Sequence, residues 1–358
     1  MDEIKKRIKR NHDLKSFRRK VRFRKMKKLY NKALQGLNCE KKKERQLQDV
    51  FNKQFVGYKV IKAPKIFSLL DNAEELLSFI HKVDDCFTDK KKVFIRMKDT
   101  AVISYDAIVV LLSKLIQFKA SKIGFNGDFP KDKNLEGILR GSGFIEYLYK
   151  NFGNQDTYTI DKKIYTHANK NVNSALTSTI IEDASKKIWN EKRRCPGMQR
   201  VFIELMQNTN NHASNHRKGE KLWWSSIIHN KKEEKVCFSF IDYGVGILDS
   251  LKNKETGKFA RIMTAIKNIL KPQNNADILK LLLEGEIHEL IKEQAYNRGK
   301  GLPGIYKAWK SNDISNLIVI TNNVYANVAN NEYREMTNDL SGTFIYWEIN
   351  KNNKSIKD

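Results

Sequence analysis

Three polar residues recur at every fourth position within residues 201–212 of this 358-residue chain: Glu204, Asn208 and His212. Because four residues make about one helical turn, a helix would place them along one stripe. A carboxylate and a carboxamide at this spacing suit a magnesium–nucleotide site, in which Glu204 orients a water molecule and Asn208 binds the cation. The same spacing is also typical of a solvated polar face, so the pattern needs support from other elements.

A second pattern is an apolar run that ends in a carboxylate and two glycines, at residues 236–247. The run predicts a strand, with Asp242 at its end and Gly244, Gly246 and Ile247 directly after it. Glycine permits positive φ and close approach of a planar ligand. A carboxylate beside such a turn can accept a hydrogen bond from an exocyclic amine. A strand that simply ends in a glycine-rich turn would have the same sequence.

A third segment combines glycines with basic residues in front of a predicted helix. Arg298, Gly299, Lys300, Gly301 and Leu302 lead into a helix that is predicted to continue through residue 309. Glycines followed by a helix N-terminus offer backbone N–H groups and a favourable dipole to a phosphate, and the two basic side chains add positive charge. The segment is therefore a candidate phosphate-binding loop, although one glycine-rich loop has little specificity.

The fourth element is Thr343, which follows Gly342 and begins a predicted strand at residues 344–349. In their order, the four elements resemble the N box, the two glycine boxes and the final Gly-Thr strand of the GHKL superfamily, which includes gyrase B, MutL and the sensor histidine kinases. The resemblance covers residues 174–349, about half of the chain. It implies an α/β two-layer sandwich of the Bergerat type, with helices on one face of a mixed sheet.

The resemblance also implies ATP and Mg²⁺ as ligands and a role for each matching residue. Asp242 would accept a hydrogen bond from the adenine amino group, with Thr343 assisting through an ordered water, and Asn208 would coordinate Mg²⁺. Further matching positions are Gly244 and Gly246 beside the base, His212, Arg298, Gly299, Lys300 and Gly301 around the phosphates, and Ile247 and Leu302 in the glycine boxes. The segment between these boxes, about 248–296, would be a mobile ATP lid with helices at 259–270 and 276–293.

Glu204 distinguishes the branches of this superfamily. Sensor histidine kinases usually have Asn at this position, whereas gyrase-type ATPases and the serine-kinase anti-sigma factors have Glu, which can act as a general base. The resemblance therefore favours a Mg-dependent ATPase that works as a conformational switch, with Glu204 as the catalytic residue. Two alternatives stay open: a serine/threonine protein kinase similar to anti-sigma factors, and an ATP sensor that binds nucleic acid or a partner without hydrolysis.

Residues 56–160 alternate strand and helix signals, which predicts a small α/β layer. Strands are predicted at 58–63, 92–97 and 121–125, and helices at 72–81, from about 105 to 118, and at 134–139. The order resembles the STAS domain of anti-sigma-factor antagonists, through residues 93–95 and 103–107. Ser104 and Tyr105 stand where that family usually has Asp-Ser, so we do not expect control by a phosphorylated serine. Ser104 or Asp106 is instead predicted to cap the following helix.

The predicted organisation has five parts. A basic helical extension at 1–55 precedes the STAS-like α/β domain at 56–160, and residues 161–173 form a linker or an entering strand. The ATPase domain covers 174–352, and residues 353–358 form a tail. A protein partner is expected, and a homodimer is left open. The biological pathway, stress signalling or defence of bacterial type among others, is also left open.

Positive charge is concentrated at the N-terminus. The chain has 67 basic and 41 acidic residues, a net charge of +26, and residues 1–53 alone contain 20 basic and 6 acidic residues, a net of +14. Phe17, Phe23 and Tyr30 are interleaved with these charges, which suits phosphate contacts combined with base stacking. We expect nucleic acid to bind here. The alternatives are a solvated amphipathic helix that packs on the α/β domain or on a neighbouring subunit, and an anionic membrane surface.

The four cysteines, Cys39, Cys86, Cys195 and Cys237, are far apart and include no CxxC pair. They are expected to be reduced thiols of a cytoplasmic protein rather than a disulfide framework or a zinc site. The charged N-terminus has no secretory signal pattern, and no apolar run is long enough to predict a transmembrane segment.

Overall fold

The computed structural model describes residues 55–149, 157–160, 164–167, 172–212, 223–252, 272–286 and 301–357. The predicted basic extension therefore lies almost entirely outside the described residues, as do residues 287–300. Contacts divide the chain into two compact units, Met1–Tyr58 and Lys59–Asp358. The second unit is a mixed α/β structure with several sheets, and it contains the candidate site.

The described helices and strands are as follows. The helices are α1 (Leu69–Thr88), α2 (Tyr105–Ala120), α3 (Lys133–Gly141), α4 (Phe144–Tyr149), α5 (Ser174–Trp189), α6 (Pro196–His212), α7 (Ile247–Lys252), α8 (Asn275–Glu284) and α9 (Gly301–Lys310). The strands are β1 (Tyr58–Lys62), β2 (Ile66–Phe67), β3 (Lys92–Arg96), β4 (Val102–Ile103), β5 (Phe125–Gly127), β6 (Thr157–Ile160), β7 (Ile164–His167), β8 (Arg193–Arg194), β9 (Trp223–Asn230), β10 (Lys235–Asp242), β11 (Ser315–Asn327), β12 (Glu332–Asn350) and β13 (Ile356–Lys357).

The first part of this unit, which we call the N-terminal layer (residues 59–149), contains the predicted alternation of strands and helices. Its small sheet has the order β1-β3-β5, with β3 parallel to β5, and β2 pairs with β4 in parallel. Helix α1 is longer than the predicted helix at 72–81. It starts directly after Ser68, whose side chain accepts a hydrogen bond from the backbone N–H of Asp71 and caps the helix.

The strand predicted at 121–125 is wrong over its first four residues. Helix α2 ends in a turn in which Lys122 has φ +56° and the N–H of Ile123 donates to the carbonyl of Phe118. This left-handed helix termination uses the residues that the apolar pattern had assigned to a strand. The strand itself is only Phe125–Gly127.

The predicted cap of α2 is correct in place and different in detail. Ser104 is the N-cap residue, but its hydroxyl donates to the carbonyl of Phe67 and makes no cap hydrogen bond to the backbone of α2. Asp106 is buried, and its carboxylate accepts a 2.6 Å hydrogen bond from the backbone N–H of Leu69. Burial raises the pKa of Asp106. Both side chains therefore tie the start of α2 to the start of α1.

The large sheet has six strands in the order β11-β12-β10-β9-β7-β6. Every described pairing in it is antiparallel, so the expectation of a mixed sheet was wrong for this part of the chain. Strand β7 falls inside residues 161–173, and it is the entering strand that was one of the two predictions for that segment. The position of the domain boundary stays a prediction.

Side chains from both faces of the large sheet are buried, whereas helices on only one face were expected. On the face that we call the helix face, Phe238 and Phe240 of β10 pack with residues of α5, α6, α8 and α9. On the opposite face, Ile241 and Trp224 belong to the same core as the N-terminal layer. Neighbouring strand residues point to opposite faces, so each strand contributes to both cores. The N-terminal layer thus packs directly on the back of the sheet.

The helix predicted at 276–293 is interrupted at Gly285, and residues 287–293 of this prediction lie outside the described residues. Helix α8 ends at Glu284 because Gly285 adopts φ +86°, a left-handed C-cap conformation. The other predicted lid helix, at 259–270, lies outside the described residues.

The described residues also bear on the predictions about transmembrane segments and cysteines. None of its helices is both long enough and apolar enough to cross a membrane. Cys86, Cys195 and Cys237 are free cysteines, and burial raises the pKa of the Cys195 thiol to about 11.

Candidate functional site

Helix α6 positions Glu204 and Asn208 on one side of the molecule. Phe202, Leu205 and Met206 of the same helix are buried in the core of the helix face, which fixes its rotation about its own axis. Glu204 and Asn208 are half-buried beside this core. His212 is the last residue of α6, and its side chain lies outside the described part of the chain.

Gly301, at the start of α9, lies directly against both of these polar side chains. A Cβ added to Gly301 would be 2.9 Å from Nδ2 of Asn208, 3.0 Å from its Oδ1 and 3.3 Å from Oε2 of Glu204. Any side chain at this position would therefore displace the carboxamide or the carboxylate. The structure thus joins two motifs that are far apart in the sequence, through a close approach that the glycine permits.

Arg200 extends the polar stripe of α6 by one turn, and the sequence interpretation missed it. Its Nε lies 3.8 Å from Oε1 of Glu204, and a Cβ added to Gly304 would be 3.3 Å from the same Nε. Gly301 faces Asn208 whereas Gly304 faces Arg200, so α6 and α9 lie side by side in opposite directions. The four-residue spacing that identified Glu204, Asn208 and His212 also includes Arg200, and this signal could have revealed it.

Asp242 is the last residue of β10, as predicted. Its Oδ1 accepts a 3.0 Å hydrogen bond from the backbone N–H of Gly244, and the N–H of Thr343 also donates to the carboxylate. Desolvation by burial nevertheless dominates and raises the pKa of Asp242 to about 7. A carboxyl group that changes charge near neutral pH, at the end of a strand, is an unusual and chemically useful acceptor.

Asp242 belongs to a row of polar side chains that crosses three neighbouring strands. It is the register partner of Thr343 on β12, and Thr343 is the register partner of Thr321 on β11. The hydroxyls of the two threonines are 3.4 Å apart. By strand alternation, all three residues lie on the helix face, at the same end of the sheet. Thr321 was not predicted, although it also ends an apolar run, as Asp242 does.

Asn322 supports the glycine turn after Asp242 and was also missed. Its Nδ2 donates to the carbonyl of Val245 at 2.9 Å, and its Oδ1 accepts from the N–H of Leu248 at 3.0 Å. Gly246 has φ +79°, and a side chain there would overlap the Asn322 carboxamide. The hydroxyl of Thr321 adds a 2.9 Å bond from the N–H of Ile247. The turn is therefore built on β11, which no sequence motif indicated.

The predicted residues thus form two groups on the helix face. One contains Glu204, Asn208 and Gly301, and the other contains Asp242, Gly244, Gly246 and Thr343. Ile247 and Leu302 are half-buried and pack against the core that lies between α6, α9 and the sheet. Arg298, Gly299 and Lys300 lie outside the described residues.

A divalent cation would find few protein ligands in the described part of the chain. No group of three or more His, Cys, Asp or Glu in it is arranged to bind a metal. Asn208 and Glu204 do offer two side-chain oxygens beside the bare backbone of Gly301, a space that a Cβ would fill. This donor set fits a cation that takes most of its ligands from water and from a bound phosphate chain, as Mg²⁺ commonly does.

No known family identifies this chain. Comparison with family models, with curated proteins and with solved structures found no match.

Proposed function

We propose that this chain binds ATP in a GHKL-type site and works as a Mg-dependent ATPase switch. The carboxylate of Asp242 accepts a hydrogen bond from the adenine amino group, and Thr343 and Thr321 lie beside this carboxylate. The glycine turn supported by Asn322 lies along the base. The first turn of α9 contacts the phosphates, next to Asn208 and Glu204, and Arg298 and Lys300 stay predicted phosphate ligands.

The observation that carries this proposal is the contact of Gly301 with Asn208 and Glu204. A glycine-rich loop and a Glu–Asn helix each have little specificity in isolation. In the structure they are so close that a Cβ added to Gly301 would be 2.9 Å from Nδ2 of Asn208. A phosphate and cation site requires such an approach, because the backbone at Gly301 and the carboxamide of Asn208 must reach the same ligand. The desolvated carboxyl group of Asp242, on the same face of the sheet, supports recognition of an amine-bearing base.

Asn208 is the residue that would hold Mg²⁺ through its side-chain oxygen. The cation, when bound, would neutralise charge on the phosphates. Glu204 is half-buried, which limits its solvation, and its carboxylate oxygens lie beside both Gly301 and Arg200. In this position Glu204 can orient a water molecule and accept its proton as the γ-phosphate is attacked. Arg200 places a positive charge on the same stripe of α6, with its Nε 3.8 Å from Oε1 of Glu204.

The same arrangement supports a second candidate, a serine/threonine protein kinase. Glu204 would then accept the proton of a substrate hydroxyl instead of that of water. The α6–α9 contact does not separate these two reactions, because both need a carboxylate near the γ-phosphate. The third candidate is a protein that binds ATP without turnover. This function needs only the group of residues around Asp242 and the group around Gly301.

ATP labelled on its γ-phosphate distinguishes the three. Release of free labelled phosphate supports the ATPase. Label that appears on this chain or on an added protein supports the kinase, and tight binding with neither product supports a sensor. The assay should be run with and without RNA or DNA, because residues 1–53 carry the net +14 charge that favours a polyanion. Absence of ATP binding by the full chain would overturn the proposal in all three forms.

A further inference from the structure

Tyr243 lies between Asp242 and Gly244, but it points to the other face of the sheet. Its ring packs against the core shared with the N-terminal layer, and it is half-buried there. The glycine turn is therefore attached on two sides. Asn322 holds it from within the large sheet, and Tyr243 reaches the layer behind the sheet.

The hydroxyl of Tyr243 meets Ser113, near the middle of α2. The two oxygens are 2.5 Å apart, and Ser113 Oγ also donates to the carbonyl of Val110 at 2.7 Å. The Tyr243 hydroxyl also lies 3.5 Å from the carbonyl of Val110, so either hydroxyl can be the donor between Tyr243 and Ser113. Burial raises the pKa of Tyr243 and keeps its hydroxyl protonated.

A charged pair from the N-terminal layer covers the same ring. Nζ of Lys114 is 4.8 Å from the centroid of the Tyr243 ring and 2.7 Å from Oδ2 of Asp84 on α1. Ser113 and Lys114 are both buried, in a helix whose other inward residues are almost all apolar. Neither polar side chain is needed to pack an apolar helix, and both are directed at one residue of the turn.

We propose that Tyr243 is a positioning residue through which helix α2 sets the geometry of the Asp242–Gly246 turn, so that the N-terminal layer controls nucleotide affinity. This inference rests on the proposed function, since it concerns the same site. Asp242 and Tyr243 are adjacent, so a shift of α2 that moves the phenol also moves the carboxylate. By linkage, nucleotide binding must bias the position of α2 to the same extent.

The test compares Tyr243→Phe, Ser113→Ala and the double variant in the full chain. Each single change removes one hydroxyl of the pair and keeps Asp242 intact. We expect about fivefold to tenfold weaker ATP binding for each, and no further loss in the double variant, because both changes break the same bond. We also expect faster amide exchange in Gly244–Leu248 in the absence of nucleotide.

Ser226→Ala is the matched control. Ser226 and Ser239 form a similar buried hydroxyl pair at 2.6 Å, on the same face of the same sheet but away from the turn. The Ser226→Ala change should lower the melting temperature. It should leave both the ATP affinity and the amide exchange of Gly244–Leu248 unchanged. Equal losses of stability in all variants, with unchanged affinity and exchange, would overturn the positioning role. If the wild-type chain binds no ATP, the proposed function is overturned, and the exchange of the turn alone decides whether Tyr243 holds it.

Discussion

At the scale of single residues, the carboxyl group of Asp242 contributes free energies of opposite sign to folding and to binding. Its pKa is raised from 3.8 to about 7 by burial, so the folded protein holds this proton more tightly than the unfolded chain does. The stabilisation from this group is present in full below pH 4 and is lost as the pH rises toward 7. The loss is at most about 4 kcal/mol.

Asp242→Asn should therefore stabilise the protein at pH 7.5 without nucleotide, on the order of 1–3 kcal/mol, because no charge has to be buried. The difference in the free energy of unfolding between Asp242→Asn and wild type should shrink as the pH is lowered to about 4.5. Urea unfolding of both proteins at several pH values measures it, and other titrating groups cancel in the difference. An advantage that is the same at every pH would contradict a desolvated carboxyl group.

Glu204→Gln tests the chemical role of the second carboxylate. If Glu204 is the general base, the change should lower turnover by at least about 100-fold and alter ATP affinity by less than about threefold. Glu182→Gln is a suitable control, because Glu182 also forms an i,i+4 ion pair, with Lys186 at 2.8 Å, on a helix of the same domain. Single-turnover hydrolysis and equilibrium binding separate the two quantities. Full turnover by Glu204→Gln would assign the proton to another group.

At the scale of elements, the contact between α6 and α9 has a direct test in two glycines of one helix. Gly301→Ala would place a methyl group 2.9 Å from Asn208, inside its contact distance. We expect ATP affinity to fall at least about tenfold. In Gly304→Ala the atoms nearest to the added methyl group belong to Arg200, whose half-exposed side chain can move, so this variant should bind ATP like wild type. Isothermal titration of both variants decides; equal affinities would mean that the α6–α9 contact is not part of the site.

Sequence patterns predicted those elements whose residues repeat with one period or lie next to one another. The helix of Glu204 and Asn208, the strand that ends at Asp242 and the helix after Gly301 are all in the predicted places. Thr321 and Asn322 were missed because their role depends on the pairing of β11 with β12 and on hydrogen bonds to residues more than 70 positions away. Such pairings have no local period from which they could be predicted.

The coverage of the large sheet is another property that the sequence did not reveal. An apolar strand buried on both faces has the same composition whether a helix or a separate layer covers its second face. Trp223 and Trp224 illustrate this, since both are buried, but in different cores. The hydrogen bond of Tyr243 with Ser113 forms because the N-terminal layer covers this second face of the sheet. The sequence could therefore not predict this bond either.

At the scale of the whole molecule, the shared core predicts that residues 174–358 cannot fold by themselves. A fragment of residues 174–358 would expose Trp224, Ile241 and Phe344, which pack with the N-terminal layer, and it would lack β6 and β7. We expect it to aggregate or to bind a hydrophobic dye, whereas residues 59–358 should unfold in one cooperative transition. Calorimetry and dye fluorescence check this. A monodisperse fragment with a sharp unfolding transition would show that the core shared with the N-terminal layer is not needed for folding.

The N-terminal charge makes a separate prediction at the same scale. If residues 1–53 bind nucleic acid through their net +14 charge, deletion of the segment should abolish binding, and binding by the full chain should weaken steeply with salt. Fluorescence anisotropy with a labelled single strand, between about 50 and 200 mM salt, measures both. Binding that is insensitive to salt, or that survives the deletion, would rule out this electrostatic role.

The proposed function requires that Asp242, Asn208 and Gly301 belong to one adenine-nucleotide pocket. Equilibrium binding of ATP and GTP to the full chain and to Asp242→Asn, with Asp249→Asn as a control on the adjoining helix α7, is the decisive test of this pocket. We expect the wild type and the control to bind ATP, with GTP much weaker because guanine presents a carbonyl oxygen to the carboxylate. Asp242→Asn should lose ATP affinity by at least about 100-fold. Undiminished ATP binding by Asp242→Asn would contradict the claim.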